Sequence, residues 1–115
     1  MGKSIVMVFL MNYFSGEVVL ANVQFPDLLG IKKRPAVVLF HDLGNIVVVG
    51  ITSNLKMKGI PITEKEGAIK ESVIKTNYIF TIAEELIEKK LFSLTKQKKL
   101  VLYKEIETKI SRLKE

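Results

Sequence analysis

The residues best suited to phosphate chemistry stand in two short stretches of the chain. The first is Lys32-Lys33-Arg34-Pro35, where a glycine-containing loop delivers an arginine to the start of an apolar run. Only two of the 18 basic residues are arginine, and a planar guanidinium can hold two phosphate oxygens at once, whereas an ammonium acts as a point charge. Arg34 is therefore a candidate phosphate-binding group, although a loop arginine in a surface ion pair would give the same pattern.

The second stretch is Gly50-Ile51-Thr52-Ser53-Asn54, which places hydroxyls and an amide at the end of another apolar run. The two apolar runs, 35–40 and 46–51, are joined by a segment whose Gly44-Asn45 pair suits the positive φ of a hairpin turn. In an antiparallel hairpin, the start of one strand lies beside the end of the other. This predicts that Arg34 and Thr52 are neighbours in space, although Thr-Ser-Asn is also ordinary turn chemistry.

Strands must position these two stretches. Between residues 15 and 80, short β-branched runs alternate with turn residues, which is typical of a small all-β barrel rather than of alternating strands and helices. The proline in the run 60–63 indicates an edge strand, because proline lacks an amide donor. The predicted strands are 17–23, 35–40, 46–51, 60–63, 72–75 and 90–94.

Two helices are predicted after the main run of strands. Thr81-Ile82-Ala83-Glu84 has the spacing of a capping box and predicts a short helix over residues 82–89. From Thr95 onward, apolar residues recur at three- and four-residue steps, which predicts a C-terminal helix over 95–114. We expect it to pack on the barrel rather than to bind a membrane or RNA freely. Its apolar stripe consists of Leu100, Tyr103, Ile106, Ile110 and Leu113.

Composition narrows the chemistry. With 115 residues, 48% of them hydrophobic and 26% charged, we expect one folded domain over 1–115. The absence of cysteine excludes a disulfide framework, a thiolate-bound zinc and a thiol nucleophile, and a single histidine, His41, leaves common metal sites and catalytic triads incomplete. We therefore expect no metal and no cofactor. The net charge of +6 favours polyanionic partners.

An apolar run near the N-terminus, Ile5-Val6-Met7-Val8-Phe9-Leu10-Met11, follows Lys3. It is too short to span a bilayer, which needs about 20 apolar residues, and no small-residue cleavage site follows it. We interpret it as an extra strand within residues 1–14 of a cytoplasmic protein without a membrane partner. The alternative is a start-site extension, with the natural start at Met7 or Met11.

Six segments in a consistent order and spacing resemble the MazF/PemK-like toxins over roughly residues 15–113. They are Gly16-Glu17-Val18-Val19-Leu20, Phe25-Pro26, Lys33-Arg34-Pro35-Ala36-Val37-Val38-Leu39, Ile51-Thr52-Ser53, Lys70-Glu71-Ser72-Val73-Ile74 and Ile79-Phe80-Thr81-Ile82. Members of this family are ribosome-independent endoribonucleases paired with antitoxins. The resemblance implies an SH3-like barrel with a C-terminal helix. It also implies a homodimer that binds single-stranded RNA along a groove lined by the 24–34 loop.

By this resemblance, Arg34 corresponds to the catalytic arginine of the family and Thr52 to its catalytic threonine. Arg34 would neutralise the phosphoryl oxygens and Thr52 would hydrogen-bond the same group, so that RNA is cut without metal. The products would be a 2′,3′-cyclic phosphate and a 5′-hydroxyl. The side chains expected to bind RNA around this pair are Lys32, Lys33, Ser53, Asn54, Lys75 and Asn77.

The chain also departs from the family pattern. Some members have Arg-x-Asp where this chain has Lys75 and Asn77, so neither a guanidinium nor a carboxylate base is available there. The alternative to a nuclease is therefore a weakened relative that binds RNA or an antitoxin peptide without cutting, and a purely structural SH3-like module is a third possibility. His41, in the predicted hairpin turn, is expected to be solvated rather than to touch RNA.

Overall fold

The computed structural model describes residues 13–26 and 28–115 of the chain. The extra N-terminal strand predicted around residues 5–11 lies outside the described residues. Within them, antiparallel strands form a six-stranded sheet in the order β4-β5-β3-β2-β1-β6. The strands are β1 Glu17–Val23, β2 Lys32–Asp42, β3 Asn45–Thr52, β4 Ile60–Ile62, β5 Ser72–Ala83 and β6 Ile87–Ser93.

The prediction of a mainly β fold of the SH3-like type with a C-terminal helix is confirmed. The sheet curls into a half-barrel, and one α-helix, α1 (Lys96–Ile110), follows it. Strand β1 has the predicted bounds, whereas β2 and β5 are longer than predicted. The extra length of β2 matters for function, since Lys32 and Arg34 belong to the strand itself and not to a loop.

Two apolar clusters cover the two faces of the sheet, because successive side chains along a strand point to opposite sides. We call the side that carries Ala36 and Val48 the front face, and the side that carries Val37 and Val49 the back face. The front cluster consists of Val19, Ala21, Val23, Phe25, Ala36, Val38, Ile46, Val48, Tyr78, Ile82 and Ile87. The back cluster consists of Val18, Val37, Val49, Ile51, Ile60, Ile62, Ile74, Leu94 and Leu102.

The helix predicted over 82–89 is wrong. Strand β5 continues to Ala83, a single 3-10 turn covers Glu84–Leu86, and β6 begins at Ile87. The capping-box spacing is a local signal, and pairing with β3 overrides it, since Ile82 lies opposite Ile46 and is buried in the front cluster. A side chain that must alternate across a sheet cannot also start a helix.

The same spacing is used elsewhere, at Thr63 and Glu66. The carboxylate of Glu66 accepts hydrogen bonds from the backbone N–H of Thr63 at 3.0 Å and from its hydroxyl at 3.1 Å. These bonds, the backbone one first, together with the charge of Lys98, hold the pKa of Glu66 below its ordinary value. Because Lys98 belongs to α1 and its Nζ lies 3.4 Å from Glu66, the helix is tied to the turn after β4.

The β2–β3 hairpin is confirmed, but its turn sits one residue earlier than predicted. Asp42 pairs with Asn45, so the turn consists of Leu43 and Gly44, which have φ of 43° and 87°. Two positive φ values are the requirement of the two-residue hairpin turn that matches strand twist. Leu43 is therefore a leucine in a conformation that favours glycine or asparagine.

The C-terminal helix begins after Thr95, whose hydroxyl accepts a hydrogen bond from the backbone N–H of Lys98 at 3.1 Å. Ile110 ends the helix, and a 3-10 turn follows over Ser111–Lys114. Within the described residues, no helix combines the length and apolar character needed to cross a membrane.

The predicted packing face of α1 is only partly correct. Leu102 is the buried residue of the helix, with Ile106 partly buried beside it on the back face. Three other side chains of the predicted stripe, Leu100, Tyr103 and Ile110, are more than half exposed. The apolar stripe is wider than the strip of helix that touches the sheet, so an apolar groove of about 730 Å³ stays open between α1 and the sheet. We call it the helix groove.

Candidate functional site

Arg34 and Thr52 lie at the same end of the front face. Arg34 lies on β2, and Thr52 is the last residue of β3. Ala36 pairs with Gly50 in the ladder between these strands, and Arg34 and Thr52 each lie two residues beyond that pair. Since side chains alternate across a strand, both project on the front side. The structure thus brings the two residues together as the hairpin predicts.

The guanidinium of Arg34 stacks on a buried phenylalanine. Its Cζ lies 4.4 Å from the centroid of the Phe25 ring, within the range of a cation–π contact. The Phe25 ring in turn meets Tyr78 and Phe80 in edge-to-face geometry, with centroids 5.3 Å and 5.9 Å apart. We call Phe25, Tyr78 and Phe80 the aromatic cluster. It forms the floor on which Arg34 rests.

Gly50 makes room for this floor. A Cβ atom on Gly50 would lie 2.7 Å from Cζ of Phe25 and 2.9 Å from its Cε1, closer than side-chain carbons approach. Only glycine therefore lets the Phe25 ring lie against β3 beneath Arg34. The sequence pattern does not single out Phe25 or Gly50, because a loop phenylalanine and a strand glycine give no periodic signal.

The polar groups at the end of β3 and just after it form a hydrogen-bonded turn. The hydroxyl of Thr52 accepts a hydrogen bond from the backbone N–H of Asn54 at 3.1 Å, and the amide oxygen of Asn54 accepts one from the backbone N–H of Lys56 at 3.1 Å. These bonds orient both side chains. A hydroxyl donates as well as accepts, so Thr52 keeps a hydrogen for a phosphoryl oxygen.

A bulge in β5 brings Lys75 towards the same end of the sheet. Ile74 pairs with Ile51 and Ile79 with Val49, so the four residues 75–78 lie opposite the single residue Gly50. The ammonium of Lys75 lies 5.5 Å from the Tyr78 ring centroid and donates to the Lys58 carbonyl at 3.0 Å. Asn77, in the same bulge, is exposed. The sequence pattern does not predict the bulge, because the predicted strand 72–75 ends at Lys75.

Lys33 and Ser53 do not join Arg34. Both line a back-face pocket of about 250 Å³. Lys33 alternates with Arg34 along β2, and Ser53 directly follows Thr52, the last residue of β3. The ammonium of Lys33 also forms an ion pair with Glu88 at 3.1 Å. Lys32 alternates back to the front side, opposite Val23, and is exposed. Of the predicted RNA-binding side chains, Lys33 and Ser53 are thus on the far side of the sheet.

The expectation that His41 is solvated is wrong. Its side chain is 5% exposed, and its Nε2 lies 3.7 Å from the Glu84 carboxylate. The hairpin extends beyond its predicted ends, so His41 pairs with Ile46 and is covered by the 3-10 turn after β5. It lies seven residues along β2 from Arg34, at the opposite end of the strand. Within the described ranges, no group of three or more His, Asp or Glu residues could hold a metal ion.

The fold is a small, curled antiparallel sheet followed by one helix, with an arginine and a threonine at the open end of the central hairpin. This combination defines a class of small β-barrel proteins. Within that class, the family model for the PemK-like, MazF-like toxin of type II toxin-antitoxin systems matches residues 15–111. The chain belongs to this family. No curated protein sequence matches it significantly.

Several solved structures share this fold. The Mycobacterium tuberculosis toxin MazF-mt6 is 20% identical with a TM-score of 0.67, over 80% of this chain and 93% of that one. MazE-MazF from Deinococcus radiodurans is 17% identical with a TM-score of 0.68, over 85% and 95%. An endoribonuclease in complex with its cognate antitoxin from Mycobacterial species is 13% identical with a TM-score of 0.66, over 87% and 96%.

Proposed function

We propose that this protein is the toxin of a type II toxin–antitoxin pair and cleaves single-stranded RNA without a metal ion. One observation carries the proposal: Arg34 and Thr52 project from the same end of the front face, with the guanidinium of Arg34 held on the aromatic cluster. Family membership supplies the reaction class. The geometry supports a role for this pair in it.

In the proposed reaction, the ribose 2′-oxygen attacks the adjacent phosphorus and passes its proton to solvent water. The 5′-oxygen leaves and takes a proton from solvent water, so that the products are a 2′,3′-cyclic phosphate and a 5′-hydroxyl. Arg34 neutralises the charge that develops on the phosphoryl oxygens and donates towards the leaving oxygen, and Thr52 donates to the same phosphoryl group. Fixed donors of this kind stabilise the transition state without reorganisation.

The RNA backbone would run past Arg34 along the front face. Lys32, Lys75 and Asn77 are the side chains available there, and the positive charge of the two lysines attracts phosphates. Asn54 contributes through the turn that orients Thr52. We assign Lys33 and Ser53 no contact with the scissile phosphate, because they face the back of the sheet.

The assay uses a fluorescent mixed-sequence RNA with purified protein and excess EDTA. We expect cutting to persist, and we expect the downstream fragment to accept phosphate from a polynucleotide kinase without prior phosphatase treatment, which identifies a 5′-hydroxyl. Cutting that stops in EDTA and returns with added magnesium would contradict the metal-free mechanism. A downstream fragment that already carries a 5′-phosphate would contradict the proposed products.

The partners proposed for this chain are a second copy of itself and an antitoxin. The helix groove supports the homodimer, since Phe40, Leu100 and Tyr103 line it and each is more than half exposed. Apolar side chains gathered on one face favour association. An antitoxin is proposed from the family. Whether the 24–34 loop lines the groove between the two copies stays a prediction.

A weakened relative that binds RNA or an antitoxin peptide without cutting is the second candidate. Lys75 and Asn77 favour it, because they leave the bulge without a guanidinium or a carboxylate, and the ammonium of Lys75 already donates to the Lys58 carbonyl. The same fluorescent RNA separates the two candidates when its binding is followed by fluorescence anisotropy alongside its cutting. RNA that is bound by the wild-type protein but never cut would establish the second.

A further inference from the structure

We propose that Phe25 is a positioning residue for cleavage: it fixes the plane of the Arg34 guanidinium so that the arginine meets the phosphoryl group already oriented. The proposal rests on the proposed function, in which Arg34 acts on the phosphate. It assigns a specific task to a loop residue and, through it, to Gly50.

The first step of the argument is the stacking itself. An arginine at the end of a strand has many side-chain conformations, and ordering them on binding substrate costs free energy. Here the Arg34 Cζ lies 4.4 Å from the Phe25 centroid, and the Nε and Nη2 atoms are shielded from solvent. A planar cation lying on an aromatic face keeps one orientation, so its donor atoms point in a fixed direction before RNA arrives.

The second step is that Phe25 itself cannot move easily. Its side chain is 1% exposed, its ring packs edge-to-face with Tyr78 and Phe80, and its far end touches Gly50. Hydrophobic packing alone would accept a leucine here. The flat ring, by contrast, supplies both the surface for the guanidinium and the thin profile that fits over Gly50.

The third step concerns the loop after β1. The backbone N–H of Leu28 donates to the Phe25 carbonyl at 3.1 Å, while the Leu28 and Leu29 side chains are 77% and 62% exposed. Phe25 is thus the buried anchor from which an exposed loop departs. Its ring is the part of that loop that reaches Arg34.

The kinetic test compares Phe25→Leu and Gly50→Ala with wild type on the fluorescent RNA. Phe25→Leu removes the aromatic face, and Gly50→Ala keeps it but pushes the ring out of place. We expect both to lower kcat at least about tenfold while KM changes by less than about threefold, since misoriented catalytic groups slow the chemical step. Phe92→Leu is the matched control, because it removes a phenylalanine that packs on the back face; its kcat is expected to stay near the wild-type value.

A second readout does not depend on activity. The chain has two arginines, Arg34 and Arg112, so the Nε–H region of a ¹H–¹⁵N spectrum holds one reference signal, from exposed Arg112. Ring current from Phe25 should shift the Arg34 proton upfield from that reference in wild type and in Phe92→Leu. In Phe25→Leu the shift should disappear.

The spectrum tests whether Phe25 stacks on Arg34, and the rates test whether this stacking contributes to cleavage. An Arg34 signal unaffected by Phe25→Leu would overturn the stacking, and a shift lost without a fall in kcat would overturn the positioning role. A fall in kcat no larger than that of Phe92→Leu would also overturn it. A wild-type protein with the shifted signal that cuts no RNA would refute the proposed function while supporting the stacking.

Discussion

The hydroxyl of Thr52 accepts a hydrogen bond from the backbone N–H of Asn54. It is also proposed to donate one to the phosphoryl group. Thr52→Ala removes both, and we expect kcat to fall by about 10²-fold, the lower range for loss of one preorganised donor. Thr52→Ser restores the hydroxyl and should recover activity to within about tenfold of wild type. The measurement is kcat for both variants. An equal fall in kcat in Thr52→Ala and Thr52→Ser would mean that the methyl group, not the hydroxyl, is needed.

The pairing of Arg34 with Thr52 follows from sequence, because two apolar runs joined by a glycine-containing turn specify a hairpin. The partners that hold Arg34 do not. Phe25 lies in a loop and Lys75 in a bulge, where neither helical nor alternating periodicity applies. The burial of His41 is likewise not predictable from local pattern. It depends on the turn at Glu84, and the sequence pattern predicts a helix there.

The hairpin turn between β2 and β3 contains a strained leucine, and a substitution at that position should relieve the strain. Leu43 has a φ of 43° and is 81% exposed, so replacing it removes little buried surface. We expect Leu43→Asn to raise the free energy of unfolding by about 0.5–1 kcal/mol, because asparagine tolerates positive φ. Thermal or urea unfolding measures this. Leu43→Ala is the control, since alanine meets the same steric problem, and an equal gain in both variants would refute the explanation.

The link between α1 and the turn after β4 predicts a pH dependence. The pKa of Glu66 is lowered in the fold, so its ionised form stabilises the protein above its ordinary pKa, and that contribution is lost as the pH falls through the lowered value. Glu66→Gln should therefore reduce the free energy of unfolding at pH 7 by about 1 kcal/mol. The difference should vanish in acid. Glu64→Gln, a neighbouring carboxylate, is the control, and a Glu66→Gln deficit independent of pH would contradict this account.

The sequence predicts most of the strands and the C-terminal helix. It does not predict how every segment pairs or packs. Alternating apolar residues and turn residues predict the strands, and a change of apolar period predicts the C-terminal helix. The helix at 82–89 was predicted wrongly because a four-residue capping pattern carries no information on strand pairing. The packing face of α1 was predicted only in part, since an apolar stripe identifies a helix face but not which portion of it the sheet covers.

At the level of the whole molecule, the helix groove predicts self-association. Leu100 is 54% exposed and lines the groove, whereas Val101 is 48% exposed and points away from it. We expect Leu100→Glu to shift the protein to monomer in light scattering at micromolar concentration, because a charge in an apolar interface is strongly unfavourable. Val101→Glu should leave the mass unchanged. A wild-type protein that is already a monomer would rule out the homodimer.

The central claim is that the Arg34 guanidinium acts on the phosphate, and Arg34→Lys tests it most directly. Lysine keeps the positive charge but loses the planar fork, so we expect cleavage in EDTA to fall by about 10²-fold or more. Binding of the same RNA, followed by fluorescence anisotropy, should weaken only a few-fold, about the effect of one altered phosphate contact among several. Cleavage by Arg34→Lys at the wild-type rate would contradict the account at its centre.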